Sequence, residues 1–260
     1  MQLNMTGKKV LVTGASQGIG QALAESFARE GCHLTVVARS EDRLNTLASD
    51  LLIRFGVPTK VIALDMTEPG AIERIVEQAA DIDILVNNAG TIPGGNLWDV
   101  NATQWRAGWE LKVLGYIDMT RAFYPLFKAR GHGVIINNIG IGGENFDFDY
   151  VAGTTGNAAL MAFTRAIGGR SLRDGIRVLG VNPGAVSTPR IEKVLRRRAE
   201  AELGDGNRAS ELLAKLPLGR AATPEEIADL CVYLASDKSA YTSGSIFTVD
   251  GGITSARSIV

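Results

Sequence analysis

The sequence has few cysteines and no excess of either charge. Its 260 residues include two cysteines, Cys32 and Cys231, and 27 basic groups stand against 28 acidic ones. Two distant thiols in apolar contexts give no disulfide framework, so we expect both to be reduced. A net charge near zero supplies no general field to hold nucleic acid. These absences argue against a cross-linked secreted scaffold and against a nucleic-acid-binding protein.

Long apolar runs and targeting segments are missing as well. No stretch of the sequence suggests a membrane span, and Met1–Asn4 shows no charged and apolar leader. The one dense basic run, Arg196–Arg198, lies in a helical segment of mixed charge. We therefore expect a cytoplasmic protein that binds neither membranes, nucleic acid nor a metal ion.

What the sequence does contain is an alternation of short β-branched runs with amphipathic stretches, and 45% of its residues are apolar. Runs such as Val134–Ile136 are typical of strands buried on both faces, whereas Leu23, Phe27 and Ala28 recur at helical spacing. This order predicts parallel strands joined by right-handed helical crossovers. We expect an α/β fold over residues 1–260, a single-domain, Rossmann-type doubly wound sheet of about seven parallel strands flanked by helices. The strands are predicted to begin near Lys8, His33, Pro58, Ile82, Gly133, Ile176 and Ser245.

A glycine-rich turn follows the first apolar run, Val10–Val12, and opens a helical pattern. Within Thr13–Gly20, a Cβ at Gly14, Gly18 or Gly20 would intrude on a ligand that approaches the backbone. Amide groups at a helix start bind phosphate, because the helix dipole adds positive charge there. The turn therefore predicts a dinucleotide site, whereas the plain alternative is a tight strand-to-helix connection.

Four further motifs follow the glycine turn in order. They are Asp65, Asn87–Gly90, Asn182–Gly184 and Val249–Gly252. Together with the turn they resemble the short-chain dehydrogenase/reductase family over nearly the whole chain. The resemblance implies that Asp65 binds the adenine edge, that Asn88–Gly90 supports the cofactor, and that Pro183–Thr188 holds the nicotinamide carboxamide. Open parallel sheets bind ligands at the carboxyl ends of their strands, where these segments are expected to lie.

The end of the second strand indicates which nicotinamide cofactor fits. Ala38 stands where an aspartate for the ribose hydroxyls would be expected, and Arg39 follows it with a planar cation suited to a 2′-phosphate. NADP(H) is therefore favoured over NAD(H). Gln17 argues against this, since NADP-using relatives often carry a basic residue there, and the plain alternative for Arg39 is a solvated loop cation. The predicted cofactor-binding residues are Gly14, Ser16, Gln17, Gly18, Ile19, Gly20, Arg39, Asp65, Met66, Asn88, Ala89, Gly90, Pro183, Gly184, Val186 and Thr188.

Other residues occupy the positions where the resemblance implies catalytic groups. Alignment of the helical segment Ala158–Arg165 puts the family's catalytic tyrosine at Gly153 and its lysine at Asn157. The catalytic serine falls on Gly140 and the asparagine on Lys112. A glycine has no group that gives or takes a proton. We therefore expect that the usual Asn-Ser-Tyr-Lys tetrad is not retained.

Our hypothesis is a rearranged set of catalytic residues, Lys112, Tyr150 and Asn157. Lys112 and Asn157 look like an exchange, since each position carries the residue type that the resemblance implies at the other. Tyr150 lies three residues before Gly153, close to one helical turn, and is the best remaining proton donor. Lys112 would supply positive charge to Tyr150 or to a developing oxyanion, and Asn157 would support the lysine by a hydrogen bond.

Plainer interpretations of these residues stay open. Phe146, Phe148 and Tyr150 form an alternating aromatic stretch that is also consistent with packing or with the lining of a pocket. Lys112 is equally consistent with a solvated helix cation. Glu144 and Asp147 or Asp149, in the loop between Gly140 and Tyr150, are alternative acids or bases.

The segment 188–218 is expected to form the substrate lid. It is strongly charged, and Arg190 and Arg196–Arg198 suit a carboxylate or a phosphate-bearing carrier, although a solvated helix is the plain alternative. Two classes of function stay open. One is an NADP(H)-dependent oxidoreductase that acts on a small carbonyl, alcohol or conjugated enoyl compound, and the other is a redox-inactive dinucleotide-binding sensor or partner subunit. The resemblance also implies a homotetramer that pairs helices near Trp105–Lys128 and Val151–Arg170.

Overall fold

One parallel sheet organises the chain. The computed structural model describes residues 2–256, so Met1 and residues 257–260 of the predicted domain lie outside the described residues. The strands within residues 2–256 are β1 (Lys9–Thr13), β2 (His33–Ala38), β3 (Thr59–Ala63), β4 (Ile84–Asn87), β5 (Gly133–Asn138), β6 (Ile176–Pro183) and β7 (Ile246–Val249). They are all parallel and lie in the order β3-β2-β1-β4-β5-β6-β7. Each begins within two residues of its predicted start.

Helices fill the intervals between the strands. Within residues 2–256 the α-helices are α1 (Gly18–Arg29), α2 (Glu41–Phe55), α3 (Ala71–Ala79), α4 (Ala102–Trp109), α5 (Gly115–Arg130), α6 (Val151–Ser171), α7 (Pro189–Leu203), α8 (Ala209–Leu213) and α9 (Pro224–Ala235). A π-helical turn, Glu110–Leu114, joins α4 to α5. Single π-helical turns within helices often mark functional sites.

The side chains of β1 show how the sheet is covered. Val10 and Val12 face one side and pack in the same hydrophobic cluster as Phe27 of α1. Leu11 faces the other side and packs with Phe123 of α5. Because successive strand residues point to opposite faces, helices cover both sides of the sheet. The chain winds in one direction from β1 to β3 and in the other from β4 to β7, which confirms the predicted doubly wound α/β fold.

The helix α6 contacts the backbone of the sheet directly. A Cβ at Gly168 would lie 2.3 Å from the amide nitrogen of Gly244 and 2.7 Å from the carbonyl oxygen of Val178. Only a residue without a side chain permits this approach. Gly168 therefore sets the distance between α6 and strand β6.

A buried arginine joins β6 to the end of α9. Arg177 is only 7% exposed, and its guanidinium donates hydrogen bonds to backbone carbonyl groups at the end of α9 and just beyond it. The acceptors are the carbonyl oxygens of Leu234, Ala235 (2.8 Å), Ser236 (3.0 Å) and Ser239 (3.2 Å). Burial lowers the pKa of Arg177. A cation at this end of a helix satisfies carbonyl groups that have no partner within the helix and complements its dipole.

Both thiols are free and buried, and burial raises the pKa of Cys32 and of Cys231 to about 12. None of the helices within residues 2–256 combines the length and apolar character that a bilayer span requires. Over the same part of the chain, no group of three or more His, Cys, Asp or Glu side chains lies where it could hold a metal ion.

Candidate active site

The glycine turn lies between β1 and α1, at the point where the sheet changes its winding direction. Gly14 and Gly18 have positive φ angles of 69° and 58°. A Cβ at Gly20 would lie 2.1 Å from the carbonyl oxygen of Gly14. Gln17 is the N-cap residue of α1, and no side chain within the described residues caps this helix. The first amide groups of α1 therefore have no capping partner, as an anion-binding turn requires.

Asn88 supports this turn from the end of β4. Its side-chain nitrogen donates to the carbonyl oxygen of Thr13 (2.9 Å), and its backbone amide donates to the Thr13 hydroxyl (2.9 Å). Asn138 in turn donates to the side-chain oxygen of Asn88 (2.8 Å). A Cβ at Gly14 would lie 2.8 Å from the Cα atom of Ala89, so the two loops are in contact. Asn88 and Ala89 thus hold the glycine turn in place.

Two cations lie just after β2, one directly beyond the strand and one at the start of α2. Arg39 has a side chain that is 75% exposed, and it pairs with Asp65 at 3.7 Å. Hydrogen bonds from the amide and hydroxyl of Thr67 to Asp65 lower the pKa of that carboxyl group, and Arg39 adds to the effect. Arg43, in the first turn of α2, donates to the side-chain oxygen of Gln17 at 2.8 Å. Sequence reasoning missed Arg43, which a search for basic residues in the first helical turn after β2 would have found.

The loop after β6 meets the glycine turn. The amide of Gly184 donates to the carbonyl oxygen of Val249 at 2.9 Å. Thr188 is the N-cap residue of α7, and its methyl group lies 3.2 Å from the position of a Cβ on Gly18. Of the other predicted cofactor residues, Ser16 precedes α1 and Ile19 lies in its first turn. Met66 follows β3, Ala89 and Gly90 follow β4, Pro183 ends β6 and Val186 follows it.

Lys112 lies in the π-helical turn and is buried, with 8% of its surface exposed. Its stem packs over Gly90, where a Cβ would lie 2.8 Å from both Cβ and Cγ of the lysine. Its ammonium group donates to the carbonyl oxygen of Ile139. Burial, with a smaller contribution from nearby Arg190, lowers the pKa of Lys112 to about 7. The interpretation of Lys112 as a solvated helix cation is therefore wrong.

The ring of Tyr150 lies over Gly153. A Cβ at Gly153 would be 2.0 Å from the hydroxyl-bearing carbon of Tyr150 and 2.1 Å from the neighbouring Cε1. Tyr150 is half-buried and packs against the hydrophobic cluster that contains Ile92 and Ala152. It is the N-cap residue of α6, with φ −138°, and so precedes the helix. Although Tyr150 lies outside the helix, its ring packs over Gly153, because Gly153 has no side chain in the way.

Asn157 and Tyr150 meet at Gly142. The position of a Cβ on Gly142 lies 3.0 Å from the side-chain nitrogen of Asn157 and 3.4 Å from Cε1 of Tyr150. Asn157 is 3% exposed, and within residues 2–256 its side-chain oxygen has no hydrogen-bond partner. The predicted hydrogen bond from Lys112 to Asn157 is therefore not formed, because the lysine reaches the carbonyl oxygen of Ile139 instead.

Arg190 also lies at this site, although no sequence motif indicates a catalytic role for it. Its Nη2 atom donates to the Tyr150 hydroxyl at 3.0 Å and to the carbonyl oxygen of Ile92 at 3.3 Å. No local sequence signal connects Arg190 with Tyr150, since forty residues separate them.

Glu144, one of the alternative acids or bases, accepts a hydrogen bond from Thr248 at 2.9 Å.

A doubly wound parallel sheet with an uncapped glycine turn at its switch point defines a dinucleotide-binding class of protein. A family model described as Enoyl-(Acyl carrier protein) reductase matches residues 14–254. Dehydrogenase/reductase SDR family member 6 of Xenopus laevis is 32% identical over 249 residues, which cover 95% of this chain and 98% of that protein. Oxidoreductase UcpA of Escherichia coli O157:H7 is 34% identical over 255 residues, with 96% and 95% covered.

Among solved structures, L-sorbose reductase from Gluconobacter frateurii, complexed with NADPH and L-sorbose, superposes with a TM-score of 0.90. It is 35% identical, and the match covers 99% of this chain and 100% of that one. The chain belongs to the short-chain dehydrogenase/reductase family, which confirms the resemblance found in the sequence. Its relatives are oxidoreductases of that family.

Proposed function

We propose that the protein is an NADP(H)-dependent oxidoreductase with a rearranged active site, in which Lys112, Tyr150 and Asn157 are the catalytic residues. Its substrate is a small carbonyl compound or alcohol, or a conjugated enoyl compound. The observation that carries the proposal is the ring of Tyr150, which lies over Gly153 and close to Asn157. The Tyr150 ring therefore occupies space that a side chain at residue 153 would fill, and it brings a hydroxyl to this face of α6.

The residues at this edge of the sheet fit a nicotinamide dinucleotide. A Cβ on Gly20 would fill the turn, and the uncapped start of α1 suits a pyrophosphate. Arg43 binds the side chain of Gln17 and Arg39 follows β2 directly, so two cations are available for a 2′-phosphate, which favours NADP(H). The NADPH-bound relative supports the same choice. When bound, the nicotinamide ring supplies or accepts the hydride.

Each catalytic residue has a separate part in the proposal. Tyr150 gives a proton to the substrate oxygen during reduction and takes it back during oxidation. Lys112, with a pKa of about 7, carries positive charge in part of the molecules near neutral pH and so stabilises negative charge on that oxygen. The buried side-chain oxygen of Asn157 accepts a hydrogen bond from a substrate hydroxyl or a water molecule.

Turnover tests this function. We would follow oxidation of NADPH and of NADH with L-sorbose, other small ketones and an enoyl thioester, and reduction of both cofactors with the corresponding alcohols. We expect turnover with NADPH, and a loss of about 10²–10⁴-fold in Tyr150→Phe. Tyr241→Phe is the matched control, because Tyr241 is 99% exposed. Equal activity of Tyr150→Phe and wild type would remove Tyr150 from the mechanism.

A redox-inactive dinucleotide-binding protein is the second candidate. Gly140 offers no hydroxyl, and the ammonium group of Lys112 is already bound to the carbonyl oxygen of Ile139. Both features favour a site that binds without reacting. Tight binding of NADPH, measured by calorimetry, together with no turnover in either direction on the whole panel would establish this candidate in place of the first.

The proposal extends to the lid, the assembly and the location of the protein. The segment 188–218, which contains α7 and α8, closes over the substrate and selects it.

The protein is a cytoplasmic homotetramer that pairs helices in the regions Trp105–Lys128 and Val151–Arg170. Leu160 of the second region packs inside its own subunit, so it is not part of that pairing. A monomer mass in solution would refute the assembly.

A further inference from the structure

One nitrogen atom of Arg190 connects three segments of the candidate site. Arg190 is the second residue of α7, directly after Pro189. Its Nη2 atom donates to the hydroxyl of Tyr150 at 3.0 Å and to the carbonyl oxygen of Ile92 at 3.3 Å. The lid helix, the start of α6 and the loop after β4 therefore meet at a single cation.

The direction of the hydrogen bond decides what Tyr150 is free to do. A guanidinium group is a donor only, so the Tyr150 oxygen is the acceptor in this contact. The hydroxyl proton of Tyr150 is not used there, and within residues 2–256 no acceptor takes it. That proton is therefore available to an oxygen atom of a bound substrate. After its transfer, the phenolate oxygen would remain within hydrogen-bond reach of a positive charge.

The neighbouring groups leave Arg190 as the permanent cation near this hydroxyl. Asp147 pairs with Arg198 at 3.6 Å, and it also accepts the amide of Asp149. Within the described part of the chain, no carboxylate pairs with Arg190. Lys112, with a pKa of about 7, is only partly charged near neutral pH, whereas a guanidinium keeps its charge. The other side chains packed around the Tyr150 ring include the apolar Ile92 and Ala152.

We propose that Arg190 is a positioning residue for Tyr150, because its guanidinium fixes the hydroxyl and stabilises the phenolate that remains after proton transfer. During reduction the O–H bond of Tyr150 breaks and an O–H bond forms on the substrate oxygen, whose carbon has accepted the hydride. During oxidation the same proton returns to Tyr150. This inference rests on the proposed function in one respect, namely that Tyr150 is the proton donor.

Nitration of tyrosine tests the charge effect without any turnover. Tetranitromethane reacts with the phenolate form, and the modified tyrosines are measured by peptide mass spectrometry at one fixed pH. Arg190→Met should lower the nitration of Tyr150, relative to the fully exposed Tyr241 of the same molecules, by about tenfold. Arg190→Lys, which keeps the charge, should recover most of it. An unchanged or increased ratio in Arg190→Met would overturn the inference.

A double-mutant cycle tests whether Arg190 acts through Tyr150. Arg190→Met should lower kcat by about 10²-fold with little change in KM, and it should have no further effect in a Tyr150→Phe background. A raised KM that persists in that background would overturn the inference and make Arg190 a substrate-binding cation. If the wild type has no turnover, the proposed function fails and the nitration ratio alone decides the inference.

Discussion

Gly153→Ala is the substitution that tests the site most directly. The added Cβ would lie 2.0 Å from Cζ of Tyr150, 2.1 Å from Cε1 and 2.5 Å from Cε2. Non-bonded carbon atoms settle at about 3.5–4.0 Å, so the ring must retreat by about 1.5 Å or more. The Tyr150 hydroxyl is now 3.0 Å from Nη2 of Arg190, and a retreat of that size breaks the hydrogen bond.

The expected loss follows from this displacement. Misplacing a reacting group by about 1 Å costs about 10²-fold in rate, so kcat should fall by at least about that factor. Affinity for NADPH should not change, because Gly153 is not part of the glycine turn. Overpacking costs about 1–3 kcal/mol of stability, and the gain in helix propensity from glycine to alanine returns about 1 kcal/mol. The variant should therefore fold.

Gly169→Ala is the matched control for this experiment. Gly169 lies on the same helix, and no atom lies within 4 Å of a Cβ placed there. We would measure kcat with the substrate found in the panel, NADPH affinity by calorimetry and the free energy of unfolding in urea for both variants. If Gly153→Ala folds, binds NADPH and keeps the wild-type kcat, the reasoning that makes Tyr150 the proton donor is refuted.

Four further substitutions give three separate expectations. The stability of the wild type relative to Lys112→Met should rise with pH between about 7 and about 10.4, because the unfolded chain holds the lysine proton there and the folded chain does not. Urea unfolding measures this difference across the pH range, and a fall with pH would contradict the prediction. Arg39→Ser and Arg43→Ser should each weaken NADPH binding by about tenfold and leave NADH binding unchanged. If fluorescence titrations show that the binding of both cofactors is weakened equally, these arginines do not form a 2′-phosphate site. Arg177→Met should lower the free energy of unfolding by about 3 kcal/mol or more, since buried carbonyl groups lose a charged donor. If the free energy of unfolding in urea stays within about 1 kcal/mol of the wild-type value, these carbonyl groups find other partners.

The fold could be predicted from the sequence because each strand carries its own signal. Apolar runs such as Val134–Ile136 need burial on both faces, and a parallel sheet with helices on each side is the arrangement that supplies it. The glycine turn could be found for a similar reason, since Gly14 and Gly18 adopt the positive φ angles that favour glycine. Local sequence and local conformation agree at these positions.

The contacts around Lys112 and Tyr150 could be predicted only in part. The approach of Tyr150 to the face of Gly153 follows from their spacing, although the tyrosine lies outside the helix. The burial of Lys112 depends on the π-helical turn and on contact with Gly90, which belongs to a distant loop. The contact between Arg190 and Tyr150 depends on the path of the chain after β6. No short sequence window contains both partners of either contact.

The close approach of Gly168 to Gly244 gives α6 a fixed pivot. About 16 Å of helix separates Gly168 from Asn157, so a small tilt of α6 at Gly168 would move the side chain of Asn157 sideways. A substitution at Gly168 would therefore damage the site from far outside it. Stability measurements alone would record such a variant as a packing defect and overlook the misaligned end of the helix. In a screen for inactive variants of this chain, substitutions anywhere in α6 from Gly153 to Gly168 should therefore be tested for an effect on the position of Asn157.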